Sequence, residues 1–299
     1  MFRTMWLWFA MNIAIMIVIT ISFYLIELIF GVSLSTYTWG YIPMFISAAV
    51  VWFSWSFFSL MISKWLAKKT YKITPLSISE YDWLNYKEKI VWDTVKELSE
   101  RNNISMPEVW IYNSTEPNAF ATGASKNSSL VAVSTGLLDI MDKWAIEWVI
   151  WHEMAHIINW DMVTMTLLQW VLNTFIVFIS NILANLVENF LDEKFSWLAR
   201  LWVVIFFQLI LGLLASLIAN KFSRYREFRA DEWSARFLWK DKMIAWLEAL
   251  KKMNNLNSED EWSFATMKIS TKTKSWFMNL FSSHPELDDR IKALYDLKI

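Results

Sequence analysis

The chain has 299 residues, a formal net charge of −1 and no cysteine. This excludes a disulfide framework, thiolate metal ligands and a thiol nucleophile, and leaves no global basic surface for binding nucleic acid. With 56% hydrophobic residues, the composition points away from a simple soluble globule and toward a lipid bilayer.

Residues Thr4 to Ile26 carry no charge, a run long enough for a helix to cross ~30 Å of hydrocarbon. It is too long for a cleavable signal peptide and lacks a small-residue cleavage site before the next span. A second charge-free run extends from Leu28 to Ser63, with its helix expected at about Tyr41 to Ser63, after the turn-rich stretch containing Gly31 and Gly40. From Ser79 to Arg101 the apolar positions Leu84, Ile90, Val91, Val95 and Leu98 recur at helical spacing. Three β-prone pieces follow at 109–112, 118–123 and 129–138, and a helix is expected over about Asp142 to Asn159.

Met162 to Val187 and Leu201 to Asn220 are also long enough to cross a membrane. Gln169, Asn173, Asn181, Asn185 and Gln208 make this pair more polar, and such residues ordinarily face a bundle interior. The pair either spans or forms a buried or shallow hairpin. Lys221 to Met253 is expected as one long helix or a broken pair, followed by a polar stretch near Asn254 to Glu261 and a short helical tail.

The predicted class is α+β, mainly helical, in an integral membrane protein. Its parts are a two-helix transmembrane region (1–66), a polar segment holding a small sheet and a histidine-bearing helix (67–161), two further apolar helices (162–220), and a closing polar segment (221–299). Arg3, then Lys64, Lys68, Lys69 and Lys72, then Lys221, Arg224, Arg226 and Arg229 flank the spans, while the 31–40 loop has no basic residue. Positive charge on the inner side therefore puts both termini and the polar segments in the cytoplasm.

The chemistry concentrates in "HEMAH", residues 152 to 156. On a helix, positions i and i+4 share a face, so His152 and His156 can aim two imidazoles at one zinc ion. Glu153 is offset around the helix and can take a proton from water at the metal, then return it to the leaving amine. The alternative is a structural histidine pair, since the motif also occurs by chance. A catalytic zinc wants a third protein ligand, and only His284 and carboxylates remain. In "SRYREFRADEWSA", Glu227 and Asp231 are four apart and share a face. Glu227 is expected as the ligand, with Asp231 hydrogen-bonding a ligand histidine to fix its tautomer. The competing account is a solvated face, with Arg224, Arg226 and Arg229 pairing these carboxylates.

Together "HEMAHIINWDMVTMTLLQW", "NAFATG", "LVAVSTGLL", "SRYREFRAD" and "SSHPELDDRI" resemble the HtpX family of membrane-bound zinc metalloproteases, in order and over nearly the whole chain. The resemblance implies a zincin-like cytoplasmic metalloprotease domain that degrades misfolded or damaged membrane proteins in quality control and stress response, in the plasma membrane, with one zinc ion per chain. By motif it implies His152, His156 and Glu227 as metal ligands, Glu153 as catalytic base and Asp231 behind a ligand. It also implies that Asn118, Ala119 and Phe120 belong to an edge strand lining the cleft, where an extended substrate can add main-chain hydrogen bonds. His284 can approach the site and stabilise a developing oxyanion; a histidine capping a C-terminal turn is the plainer alternative.

The chain departs from the family pattern mainly in its tryptophans. It carries 21 Trp and 5 Gly, whereas about 7% glycine is usual. Trp160, Trp170, Trp233 and Trp239 stand where the family typically has glycine, and Trp160 falls where the histidine helix should end and a C-cap glycine would suit. One account is a reassigned codon, read as glycine in the native cell and as tryptophan in this translation. The other is a tryptophan-rich membrane protein with its indoles at the bilayer interfaces. Two competing functions are an inactive scaffold or chaperone-like binder, which would need no base at Glu153, and a transporter, which would need charged groups within the apolar runs.

Overall fold

The computed structural model describes residues 41–71, 74–76, 78–191, 196–237 and 284–297, with scattered positions between 240 and 251. The first predicted span, Trp239 and the polar stretch near 254–261 lie outside the described residues. Residues Ala49–Ile299 form one compact unit; of Met1–Ala48, the described part supplies the opening turns of the first helix.

That helix, α1, is Tyr41–Tyr71. It continues past the expected end at Ser63 because nothing in "KWLAKKTY" breaks a helix, and Lys68 and Lys69 in its last turn complement the helix dipole. A short strand β1 (Thr74–Pro75) and a 3-10 turn (Ile78–Trp83) lead into α2, Tyr86–Arg101. Asn85 caps α2: its side chain accepts from the Lys87 and Glu88 amides, while Glu88 reaches back to the Asn85 amide at 2.9 Å. This cap confines the predicted helix to the residues after Asn85.

Strands β2 (Glu108–Tyr112), β3 (Ala119–Ser125) and β4 (Ser128–Ser134) join β1 in a mixed sheet of order β1-β2-β4-β3. β2 runs parallel to β4, and β3 pairs antiparallel with β4, which leaves β3 at an edge. The last part of the third β-prone piece is a helix instead. α3, Thr135–Ile140, begins where the Ser134 hydroxyl accepts from the Leu137 amide, satisfying an N-terminal donor. One face of the sheet, with Val109, Ile111, Val131 and Val133, packs with Val91, Val95 and Leu98 of α2 around α4 (Lys143–Ile158). Ile146, Ile150, Met154 and Ile157 of α4 are fully buried in this core. Burial of each such side chain favours the fold by roughly 1.5–3 kcal/mol.

Two long helices follow: α5, Asp161–Leu191, and α6, Trp197–Phe237. The fourth apolar run and the polar segment after it are therefore one continuous helix as far as Phe237. The C-terminal tail holds α7, Leu287–Asp296. Among the described residues three helices, within α1, α5 and α6, are long and apolar enough to cross a membrane. At 1.5 Å per residue, the 31 residues of α5 span roughly 46 Å, more than the hydrocarbon thickness. Arg200 pairs with Glu188 and donates to Asn185 at 2.6 Å, joining α5 and α6 near the far end of their hairpin.

Candidate metal centre

α4 carries His152, Glu153 and His156, and its polar face meets α6 across the end of the apolar core. The two imidazoles approach with Nε2 atoms 3.2 Å apart. Glu227 of α6 is 3% exposed, with one oxygen 3.3 Å from His152 Nε2 and the other 3.6 Å from His156 Nε2. These three side chains offer ligand atoms within 4.8 Å of one another. Zinc at about 2.0–2.1 Å from each ligand in a tetrahedron requires ligand atoms about 3.3 Å apart. The spacing fits, and the donor set of two imidazoles and a carboxylate suits zinc.

Electrostatics follow from the burial. Desolvation alone would lower the basicity of His152, but Asp231 and Glu227 beside it outweigh that and push its pKa up to about 10 in the metal-free chain. Burial raises the pKa of Glu153, against the opposing pull of His156 and His152 and of a hydrogen bond from the Ala121 backbone. That last contact brings the edge strand β3 beside Glu153.

Each histidine also meets an aspartate on its other nitrogen. His156 Nδ1 and Asp161 Oδ2 are hydrogen-bonded at 2.7 Å. His152 Nδ1 lies 3.1 Å from Asp231 Oδ1, a contact that falls short of hydrogen-bond alignment. Arg290 of α7 holds Asp231 at both oxygens, 2.6 Å each, and its guanidinium lies 6.0 Å from the Trp148 ring, which stacks on His152. Asp161 is paired with Arg229. Neither pair is one raised as an alternative to a metal site: Asp231 takes Arg290 from another helix, Arg229 takes Asp161, and Glu227 faces the imidazoles.

His284 Nδ1 is 3.3 Å from Glu227 Oε2, with a side chain 39% exposed. Ala119 opens β3, and with Ala121 it packs on the α4 side of the sheet. Phe120 points to the opposite face, where its ring is 5.2 Å from Tyr71 and 5.9 Å from Tyr112. Asn118 lies just before the strand, its amide donating to Ser134 Oγ at 2.9 Å.

The tryptophans differ in how they fit. Trp170 Nε1 donates to the Ala49 carbonyl at 2.8 Å and its ring meets Phe53 edge-on, while Trp233 packs on Trp151 at 5.6 Å. Trp160 instead follows the C-cap Asn159 with φ +60°, in the left-handed region that favours glycine.

Asp161 and Arg290 are residues that sequence reasoning did not single out, and Arg229 was expected, in the solvated-face account, to pair Glu227 or Asp231 rather than Asp161. Asp161 is five positions after His156, off the shared face of a continuous helix, and it returns to the imidazole only because the chain turns at Trp160. Arg290 is 59 residues from Asp231, and no local pattern announces the pair.

The sequence profile of peptidase family M48 matches residues 85–298. Protease HtpX of Tolumonas auensis is 43% identical over 302 aligned residues, covering 98% of this chain and 98% of that protein. The Protease HtpX homolog of Bacillus subtilis is 42% identical, covering 98% and 99%. The crystal structure of S. mikatae Ste24p superposes with a TM-score of 0.62 at 18% identity, covering 95% of this chain and 67% of that one, a likeness of fold. Coverage at that level of identity, on a chain with membrane-length helices and a clustered His-His-Glu set, makes this protein a member of the HtpX family of membrane metalloproteases within peptidase family M48.

Proposed function

We propose that this protein is a zinc-dependent endopeptidase that hydrolyses peptide bonds of misfolded or damaged membrane proteins, in membrane quality control and stress response. Its active site faces the cytoplasmic side of the plasma membrane. The observation that carries the zinc reading is the convergence of His152, His156 and Glu227 at tetrahedral spacing.

Zinc bound there would supply a Lewis acid that activates water and polarises the scissile carbonyl. Glu153 takes the proton from the attacking water and passes it to the leaving amine. The His284 ring, beside Glu227 and with its side chain 39% exposed, donates an N–H to the developing oxyanion. The edge of β3, which pairs with no further strand among the described residues, accepts an extended substrate as an added strand, and main-chain pairing there tolerates many sequences. Asn118, Ala119 and Phe120 contribute through their backbone at the start of that edge.

The placement of the centre supports membrane substrates. Asp161 begins a helix that is apolar from the next residue on, and Glu227 stands seven residues beyond the apolar run ending at Asn220, about 10 Å along α6. The flanking Lys64, Lys68, Lys221 and Arg224 support the cytoplasmic orientation. Retention of Glu153 with all the ligands favours an enzyme over an inactive scaffold.

The test is cleavage of an unfolded protein by the detergent-purified chain and by Glu153→Gln, with zinc content measured on both. The expected result is cleavage by the first alone and equal zinc in the two. Cleavage by Glu153→Gln, or its loss of zinc, would overturn the assignment of the base.

A further inference from the structure

Of the two aspartates behind the histidines, Asp161 has no part in the mechanism above. It is 1% exposed, at the first position of α5. One carboxylate oxygen meets His156 Nδ1 at 2.7 Å and the other meets Arg229, while its backbone carbonyl accepts from Arg226 Nη1 at 3.2 Å. Arg229 also reaches the Asn159 carbonyl at 3.4 Å. Two arginines of the helix that carries Glu227 therefore clamp the turn that follows the helix carrying both histidines.

A buried ion pair is a weak source of stability, because desolvating the charges offsets most of their attraction. Arg229 alone would satisfy the charge of Asp161, so stability does not explain why its second oxygen is spent on an imidazole. Orientation does. A carboxylate accepting from Nδ1–H fixes the tautomer that leaves the Nε2 lone pair for a metal, and it holds the ring plane. His156 Nε2 is the atom facing His152 Nε2 and Glu227.

We propose that Asp161, held by Arg229, is a positioning residue for the ligand His156, and that it ties the metal centre to the seating of the α5–α6 hairpin. The proposal rests on the zinc reading of the centre. Removing such a partner weakens metal binding by roughly 10–100-fold, so the readout is zinc affinity rather than turnover.

The experiment compares the full chain in detergent with Asp161→Ala and the near-isosteric Asp161→Asn. It measures zinc affinity by chelator competition, the visible spectrum of the cobalt-substituted protein, and thermal unfolding of the metal-free forms. Expected are a zinc affinity for Asp161→Ala lower by about 10-fold or more, a smaller loss for Asp161→Asn, which keeps an acceptor but not the charge, and altered cobalt bands in both. A purely structural role would lower the unfolding temperature and leave the cobalt spectrum unchanged. Unchanged affinity in both variants overturns the proposal, and if Asp161→Ala does not fold, Asp161→Asn decides. Absence of zinc binding by the unaltered chain would instead overturn the metal reading, and this proposal with it.

Discussion

Arg290 and Asp231 form a buried bidentate pair, 2.6 Å at each oxygen, between the ten-residue helix α7 and the helix that carries Glu227. Arg290 and Asp231 are 6% and 1% exposed. Burial alone would lower the Arg290 pKa, but Asp231 outweighs it and raises it further, so the cation persists at any working pH. Asp231 thus remains an anion facing His152, and the C-terminal helix is part of the centre.

Truncation at Arg290 should therefore be costly. Arg290→Ala leaves Asp231 buried with only the His152 imidazole beside it, a defect of up to about 3–5 kcal/mol. Arg290→Lys keeps the charge but loses the fork geometry, and should recover only part of that. Thermal unfolding of the metal-free proteins is the measurement, and an unchanged midpoint for Arg290→Ala would contradict the buried pairing.

Glu227→Ala removes the one carboxylate that, among the described residues, touches both imidazoles. Metal analysis after dialysis against zinc should show a large loss of zinc relative to the unaltered chain, with Glu153→Gln retaining it. Normal zinc stoichiometry in Glu227→Ala would move the third ligand to another residue.

Trp160 at φ +60° carries a conformational cost of roughly 1–2 kcal/mol for a residue with a side chain. Its ring lies 5.3 Å from Lys126 Nζ, an exposed cation–π contact that offsets about 0.5–1 kcal/mol. The strain exceeds the contact, so Trp160→Gly should stabilise the protein by about 1 kcal/mol or less. The reassigned-codon account makes a sharper forecast: mass spectrometry of the peptide spanning residue 160, taken from the native cell, reads glycine. An intact indole there would sink that account while leaving the stability forecast in place.

Glu108 bridges Lys64 at 2.8 Å and Lys68 at 2.6 Å, joining the end of α1 to β2. Burial raises its pKa, but the two ammonium groups outweigh this and hold it below the usual carboxylate value. A depressed folded-state pKa contributes stability that is present above about pH 4.3 and is lost as pH falls through the folded value. Glu108 is 41% exposed, so the contribution is ~1 kcal/mol or less. Glu108→Gln should lower the unfolding midpoint slightly at pH 7 and match the unaltered chain near pH 3. An equal deficit at both values would assign the effect to packing.

The parts of this protein legible in its sequence are those set by local periodicity. The spacing of His152 and His156 fixes a shared helical face, the apolar runs fix the long helices, and "YREFRAD" places Glu227 and Asp231 one turn apart. Each of these is decided by residues within a turn or two of one another. Capping was less visible: the Ser134 cap turned the end of an expected strand into α3, and the lack of a breaker after Asn220 let the fourth apolar run continue to Phe237 as one helix.

Asp231 is expected behind a histidine from the sequence, but only the tertiary structure decided that Asp161 and Arg290 join it behind the candidate metal ligands. Glu227 meets the imidazoles because α6 packs across α4, Asp161 because the chain reverses at Trp160, and Arg290 because α7 returns across 59 residues of sequence. A buried charge is tolerated where its partners arrive, and arrival depends on how helices pack, not on any period in the chain. The sequence determined the chemistry at hand, and the packing of α4, α6 and α7 determined its orientation.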